Sequence, residues 1–455
     1  MTPSAPSAVE RSAVERSAVE RSTSGAAFLL DTEVLLLALM NDDSSSAAVA
    51  SRIEDMIQSM PPGSRLPSYR NLQQRYRLSP ATVQRILADL SRRGLLVTRP
   101  GSGTYTAQRR QAPAAADVSW QTLALGSRTG LNIDLERLVD PGPPDSLSLI
   151  SGFLDERLQP LGLLAAAGSR SARRPQAWGR LPPQGLPELR AFFAAETGGS
   201  MTGQNVLITP GGQAALSAVF RHLCAPGDPV ILESPTYIGA IAVARAAGLN
   251  LVPVPGDEQG VLPDVLADAL ARTRARLVYL QPRYSNPAGA VLAPDRRVAV
   301  LETVARHGAF LLEDDWMRDF DLGPPSPPPM ASMDDDGHVI YLRSLSKPVA
   351  PGMRVAGLAA RGPVLARLRL GRISDDLFVA PVLQQVALDV LTAPGWIRHL
   401  GSIRRLLRER RDALVAAISA SLPDCELALV PAGGVHLWLR LPERWSDIDV
   451  ADLAA

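Results

Sequence analysis

Lysine is all but missing from this sequence: of 47 basic residues among 455, reading along the chain finds 46 arginines and a single lysine, Lys347. Cysteine is nearly as scarce. Cys224 and Cys425 cannot build a disulfide framework or a four-cysteine zinc site, and so few thiols suit a reducing, cytoplasmic setting. The five histidines are scattered without metal-ligand spacing, so no metal site is expected. Aromatic residues make up only 5% and the net charge is +1, so no global charge excess points to nucleic acid or a membrane surface. The apolar run Val34–Met40 is seven residues long, too short to cross a bilayer, and reads as a short helix. A secreted mini-protein, a membrane protein and a coiled coil are excluded. At roughly 100–200 residues per domain, the length calls for two or more domains.

The lone lysine narrows the chemistry. Guanidinium can serve for surface charge, phosphate clamping and ion pairing, so a bias toward arginine spares lysine only where arginine fails. Arginine cannot lose a proton near neutral pH and attack a carbonyl carbon. A lysine amine can, once burial or a neighbouring cation lowers its pKa, and it then forms a Schiff base.

The chain divides by composition. Residues 1–40 read as a low-complexity tail in which Ser7–Arg21 is three copies of Ser-Ala-Val-Glu-Arg. In 41–106, Val49, Ile53, Met56, Ile57 and Met60 fall at helical spacing, ended by Pro61-Pro62-Gly63. Helices are expected over Ser68–Tyr76, capped by Ser68, and from Ser79 to about Arg93, with Pro80 at the first helical position. A hairpin of Leu95–Thr98 and Thr104–Thr106 follows, turning at Arg99–Gly103. Three helices and a β-wing make a winged helix-turn-helix. Residues 107–145, with Arg109-Arg110, read as a linker. From 146 to 361, apolar runs at Val206–Ile208, Val230–Leu232, Leu277–Leu280, Phe310–Leu312 and Val339–Leu342 alternate with helices at Gln213–Cys224, Ile238–Ala247 and Asp295–His307. Such runs predict parallel strands buried on both faces, in an α/β domain that binds a phosphorylated cofactor at strand ends. Residues 362–455 turn to helices, including Ile403–Leu422, then a strand pair, Leu427–Val430 and Val435–Leu441.

Between residues 49 and 106 nine arginines face Glu54, Asp55 and Asp89, a local charge of +6. That is an electrostatic footprint for a phosphate backbone. Helix Ser79–Arg93 would enter the major groove by its N-terminal end. Ser79, Ala81, Thr82, Gln84 and Arg85 are its candidate contacts, Arg65, Ser68, Arg70 and Arg99 fit phosphates, and Gly101 and Ser102 let the wing approach the minor groove. The string Pro62-Gly63-Ser64-Arg65-Leu66-Pro67-Ser68, then Arg70, Ser79–Val83 and Arg99–Thr104, resembles the DNA-binding domain of GntR-type regulators. Pro80 and Gln84 stand where many of those proteins carry guanine-reading arginines, so the operator does not carry over. Asp334-Asp335-Asp336 reads as a solvated turn.

Lys347 lies in Ser344-Leu345-Ser346-Lys347, with Arg354 seven residues on. This resembles the lysine motif of fold-type I, pyridoxal-phosphate-dependent aminotransferases. The resemblance implies Lys347 as the Schiff-base lysine. The turn Thr209-Pro210-Gly211-Gly212-Gln213 opens a helix whose amides can hold a phosphate, and Ser344, Ser346 and Arg354 would complete the cup around Gly212 and Gln213. Tyr237 is expected to stack on the pyridine ring, Asn286 to donate to its phenolic oxygen, and Asp314 to pair with its nitrogen. Gln184–Arg190 resembles the family's early helix start. Trp316 stands where the family has a tyrosine. The arginine that clamps a substrate carboxylate in that family would lie beyond the Gly433-Gly434 strand pair, so either the small C-terminal α/β subdomain is incomplete or the clamp is absent; Arg440 is not its equivalent.

Both halves together resemble the MocR subgroup of GntR-type regulators, a winged helix-turn-helix fused to an aminotransferase-like fold. The resemblance implies a regulator that binds double-stranded operator DNA, holds pyridoxal 5′-phosphate, senses an amine, an amino acid or the vitamer, and works as a head-to-tail homodimer away from membranes. A working aminotransferase is the alternative, and half-transamination is compatible with either.

Overall fold

The computed structural model describes residues 49–107, 121, 124 and 152–454. The repeat tail, the helix expected at Val34–Met40 and nearly all of the expected 107–145 linker lie outside these. The chain forms two units, divided after Gly126.

In the first unit a helix over residues 49–59 is followed by helices Tyr69–Tyr76 and Pro80–Arg92. Ser68 and Ser79 cap the latter two, accepting from the N–H groups of Asn71 at 3.3 Å and Thr82 at 3.2 Å. Each cap is worth about 1 kcal/mol. The three helices close on Ile53, Ile57, Leu72, Val83, Ile86 and Leu90, with Leu66 and Leu96 completing the core. Strands β1 (Leu96–Arg99) and β2 (Gly103–Thr106) pair antiparallel as the wing, β1 shifted by one residue from the sequence expectation and β2 starting one residue earlier.

The second unit is built on an eight-stranded sheet in the order β3-β10-β9-β8-β7-β4-β5-β6. Strands β3 (Val206–Thr209), β4 (Pro229–Ser234), β7 (Leu277–Leu280), β8 (Phe310–Asp314) and β9 (Val339–Ser344) occupy the five apolar runs. The helices Gly212–Leu223, Ile238–Ala246 and Pro294–Arg306 fall where their periodicity puts them. Three strands escaped the pattern: β5 (Asn250–Asp257), β6 (Gly260–Val261) and β10 (Ala356–Ala359). The sheet is therefore mixed rather than all parallel, because β10 runs antiparallel to both β3 and β9 and β6 runs antiparallel to β5. Gly357 permits the insertion of β10: a Cβ there would come within 2.6 Å of the Phe193 ring.

Alternation along the strands sorts the core into two layers. Ile231, Val278, Leu311 and Val339 face one side, with Phe193, Val300 and Val386. Leu232, Tyr279, Leu312 and Leu342 face the other, against Leu216, Val219 and Phe220. The same period-two rule sends Asp314 and Ser344 to the second side and Glu313 and Arg343 to the first. Beyond β10 come helices Pro363–Asp376, Pro381–Leu391 and Gly395–Ser421, the last starting eight residues before the expected Ile403. The strand pair shrinks to β11 (Glu426–Leu427) and β12 (Leu439–Arg440). The intervening segment turns its backbone elsewhere: Leu322 donates to the Ala432 carbonyl at 2.8 Å and Gly434 to that of Phe320 at 3.0 Å. The 334–336 turn is only half solvated, since buried Asp334 accepts from the backbone of Gly337, His338 and Val339. Among the described residues no helix is long and apolar enough to cross a membrane.

Candidate functional site

The parallel strands all end on one edge of the sheet, and the expected cofactor residues follow those ends. One cleft is lined by Gly212, Gln213, Tyr237, Asn286, Asp314, Trp316, Ser344, Ser346, Lys347 and Arg354, together with Phe153, Leu216 and Gln281. Every residue singled out for this purpose in the sequence is therefore brought to one place.

At the floor, Asp314 is 5% exposed. Its Oδ2 accepts from the Tyr279 hydroxyl at 2.8 Å and from Gln281 Nε2 at 3.0 Å, whereas Oδ1 accepts no hydrogen bond among the described residues. Burial pushes its pKa up to about 6, against the pull of these two donors. Gln281 also accepts from the Asn286 backbone N–H at 3.0 Å, so one side chain positions both the carboxylate and Asn286. The Asn286 side-chain amide makes no hydrogen bond of its own among the described residues, and Tyr237 is steadied by donating to Gln213 Oε1 at 3.2 Å.

At the other end, helix Gly212–Leu223 begins without a side-chain cap. Its first-turn N–H groups and dipole make an anion site. Arg354 lies against it, donating to the Pro210 carbonyl at 3.1 Å and touching Ser346 Oγ at 3.5 Å, with no carboxylate partner among the described residues. Gly211 has φ +93°, and a Cβ there would sit 2.8 Å from the guanidinium. Ser344 Oγ accepts from the Ser346 N–H at 3.3 Å.

Lys347 Nζ hydrogen-bonds nothing among the described residues. It stands 3.6 Å from the Phe153 ring centroid and 5.8 Å from that of Trp316. Burial lowers its pKa to about 8, a fall that the Asp314 carboxylate partly opposes. Trp316, standing where the family has a tyrosine, uses its Nε1 to donate to the Tyr284 carbonyl at 3.1 Å, so only the ring face is offered to the cleft. These groups fit the pyridoxal phosphate expected from the sequence. An uncapped helix start with an acid-free arginine suits a phosphate, a buried carboxylate with one open oxygen suits a pyridinium, and a desolvated amine suits an aldehyde.

Phe153, Gln281 and His436 were not found from sequence. The imidazole of His436 packs on Trp316 with centroids 5.2 Å apart, and it lies in a Gly-Gly-Val-His string that gave no local signal. Burial first, and the Lys347 charge second, push its pKa down to about 4.

In the first unit, Arg65, Ser68, Arg70, Ser79, Ala81, Gln84, Arg85, Arg99, Gly101 and Ser102 are exposed and Thr82 is half-buried. The hydroxyls of Ser68 and Ser79 act as helix caps, and Ser79 Oγ lies 2.8 Å from Thr82 Oγ1. Arg92 pairs with Asp89, and Arg93 with Glu54. Arg99 instead lies over the Tyr105 ring, 4.8 Å from its centroid. The wing thus keeps a cation, Arg99, that pairs with no acid among the described residues.

Comparison with known proteins follows the same division. Residues 45–106 match bacterial regulatory proteins of the gntR family, and residues 158–452 match aminotransferases of class I and II. The HTH-type transcriptional regulator YdfD of Bacillus subtilis, itself uncharacterized, is 25% identical over 84% of this chain and 80% of its own length. The 2-aminoadipate transaminase of Thermus thermophilus is 33% identical over 67% of this chain and 77% of its own. The crystal structure of LysN, the α-aminoadipate aminotransferase of T. thermophilus, complexed with N-(5′-phosphopyridoxyl)-L-leucine, matches with a TM-score of 0.67 and 30% identity. It covers 73% of this chain and 85% of LysN.

Proposed function

Because this chain belongs to the class I and II aminotransferase family and carries a gntR-type domain ahead of it, we propose that it is a transcriptional regulator that binds operator DNA and senses an amine through pyridoxal phosphate. The observation that carries this reading is the fusion itself, a winged helix of charge +6 on the same polypeptide as a cleft holding the sole lysine. The domain division goes with it: 41–106 for DNA, 146–361 for the cofactor and 362–455 for the smaller subdomain, joined by 107–145. The regulator works in the cytoplasm as a homodimer, so that two winged helices read two half-sites.

In this reading Lys347 would hold the cofactor's aldehyde, Asp314 its ring nitrogen, Tyr237 its ring face and Asn286 its phenolic oxygen. Gly212, Gln213, Ser344, Ser346 and Arg354 would hold its phosphate. When bound, pyridoxal phosphate supplies an electrophilic carbon that captures primary amines and a ring that withdraws electrons. The protein's own work is positioning. Burial keeps the Lys347 amine available near neutral pH, Gln281 and Tyr279 aim Asp314 Oδ1 into the cleft, and Phe153 and Trp316 keep water from Nζ.

Ser79, Ala81, Thr82, Gln84 and Arg85 would face the major groove, with Arg65, Ser68, Arg70 and Arg99 on phosphates and Gly101 and Ser102 at the minor groove. An effector acts only by binding two arrangements of the protein unequally, and such couplings typically amount to about 1–3 kcal/mol. The test is operator affinity on DNA from upstream of the protein's own gene, with pyridoxal phosphate present, before and after adding a primary amine. A change of about 5–150-fold is expected, and Lys347→Ala should abolish it. A Lys347→Ala protein that still responds fully would overturn the sensing mechanism.

A further inference from the structure

At the tip of the wing, Arg99–Ser102 form a type II turn. Ser102 donates to the Arg99 carbonyl at 3.0 Å, Pro100 takes the second position and Gly101, with φ +74°, the third. Strand β2, which leaves this turn, is held along both edges. Its register with β1 sets Val97 opposite Tyr105 and Arg99 opposite Gly103. On the other edge Arg65 bridges Tyr105, Leu66 donates to the Thr104 carbonyl at 2.8 Å, and Thr106 donates to that of Ser64 at 2.8 Å. The backbone of Tyr105 is therefore fixed in the middle of three extended segments.

Opposed residues share a face, so Val97, Arg99, Gly103 and Tyr105 point the same way. Gly103 has no side chain, and the place of its Cβ is approached to 3.0 Å by Arg65 Nε. Arg99 reaches past Gly103 to its diagonal neighbour, where its guanidinium carbon lies over the Tyr105 ring, 4.8 Å from the centroid. The Tyr105 hydroxyl donates to the Ser102 carbonyl at 3.2 Å and stands 2.8 Å from Ser102 Oγ. One half-buried side chain thus touches both Arg99, by its ring, and Ser102, by its hydroxyl.

The choice of an aromatic ring has a consequence that an acid would not. Arg92 and Arg93 are tied to Asp89 and Glu54, which cancel their charge. Tyr105 restrains Arg99 and leaves the charge whole. A guanidinium over a ring uses its face, so its in-plane N–H groups remain free for phosphate oxygens.

We propose that Tyr105 is the positioning residue of the wing, presetting the Arg99 guanidinium and the Ser102 turn for a DNA phosphate backbone. This deepens the DNA-binding reading and rests on it. An unrestrained arginine gives up its rotamer freedom when it grips a phosphate, and one already laid on a ring gives up less.

The test is a pair of double-mutant cycles on the full chain, titrated at low salt with a random-sequence DNA duplex, so that no operator need be known. Arg99→Ala should weaken binding by a factor about 2–5 times smaller in Tyr105→Leu than in the wild-type background, the range of an exposed cation–π contact. In Tyr105→Phe, which keeps the ring, Arg99→Ala should cost as much as in wild type. The second cycle leaves the ring in place: Ser102→Ala should cost less in Tyr105→Phe than in wild type, by about 2–10-fold, the range of a hydrogen bond. Additivity in either cycle overturns the proposal, because the tyrosine then touches DNA itself or merely supports the wing. A salt slope that falls in Tyr105→Leu by more than about 0.9, the value of one phosphate contact, also overturns it, since the whole wing has then been lost. If the wild-type chain binds no duplex even at low salt, the DNA-binding reading itself fails and takes the proposal with it.

Discussion

The amine of Lys347 can be titrated on its own, because no other lysine competes with it. Burial takes its pKa from 10.5 to about 8. At 1.36 kcal/mol per pKa unit this is roughly 3 kcal/mol against the charged form. At pH 7.5 about a quarter of the amines would be neutral, against about one in a thousand for a lysine in water, a gain of roughly 200-fold in nucleophile. The assay is the pH dependence of modification of the cofactor-free chain by trinitrobenzenesulfonate, with the labelled peptide isolated to separate Lys347 from the chain's α-amine. A midpoint near pH 8 is expected. Asp314→Asn should move it lower still, since the negative charge of the carboxylate favours the ammonium form. A midpoint at 10 or above would show that Nζ remains in water, and the argument from desolvation would fail.

Other consequences follow from the same geometry. Arg354→Ala removes the one cation of the phosphate cup and should weaken pyridoxal phosphate about 10–100-fold in a reconstitution titration, the range for a charge-assisted hydrogen bond; unchanged affinity would remove Arg354 from the cup. Burial raises the Glu233 carboxyl to about 8, so the folded state favours its protonated form and loses stability as pH rises from about 4.5 toward 8. Glu233→Gln, which keeps an acceptor for the Gln281 N–H, should match wild type at pH 5 and exceed it at pH 9 in thermal unfolding of the cofactor-free chain; parallel curves would refute this. Arg99→Ala should lower operator affinity evenly across sequences and reduce the salt slope by about 0.9, the value for one phosphate contact. A loss confined to some sequences would make Arg99 a base reader instead.

Much of the cofactor cleft could be read from the chain because it is built of short motifs at strand ends, where local sequence decides local geometry. Ser344–Lys347 ends β9, Asp314 ends β8, and Thr209–Gln213 joins β3 to its helix. The missing parts are long-range. Gln281 matters only because β7 and β8 pair side by side, and Phe153 because a segment distant in sequence crosses Lys347. β5 was hidden by Pro253, Pro255 and Gly256, which break strand periodicity, and β10 by its Ala-Gly-Leu-Ala sequence, a poor strand former held in place by partners on both sides. In the first unit the caps at Ser68 and Ser79 carried the helix starts unaided, because capping is a local interaction.

The central claim is that one amine captures the aldehyde of pyridoxal phosphate. It is tested most directly by incubating the purified full-length chain with the cofactor, reducing with borohydride and mapping the phosphopyridoxyl group by mass spectrometry. The account predicts one label per chain, on Lys347, with loss of the visible absorbance band. A chain that stays colourless when saturated with cofactor, or that is labelled only at its α-amine, would contradict it.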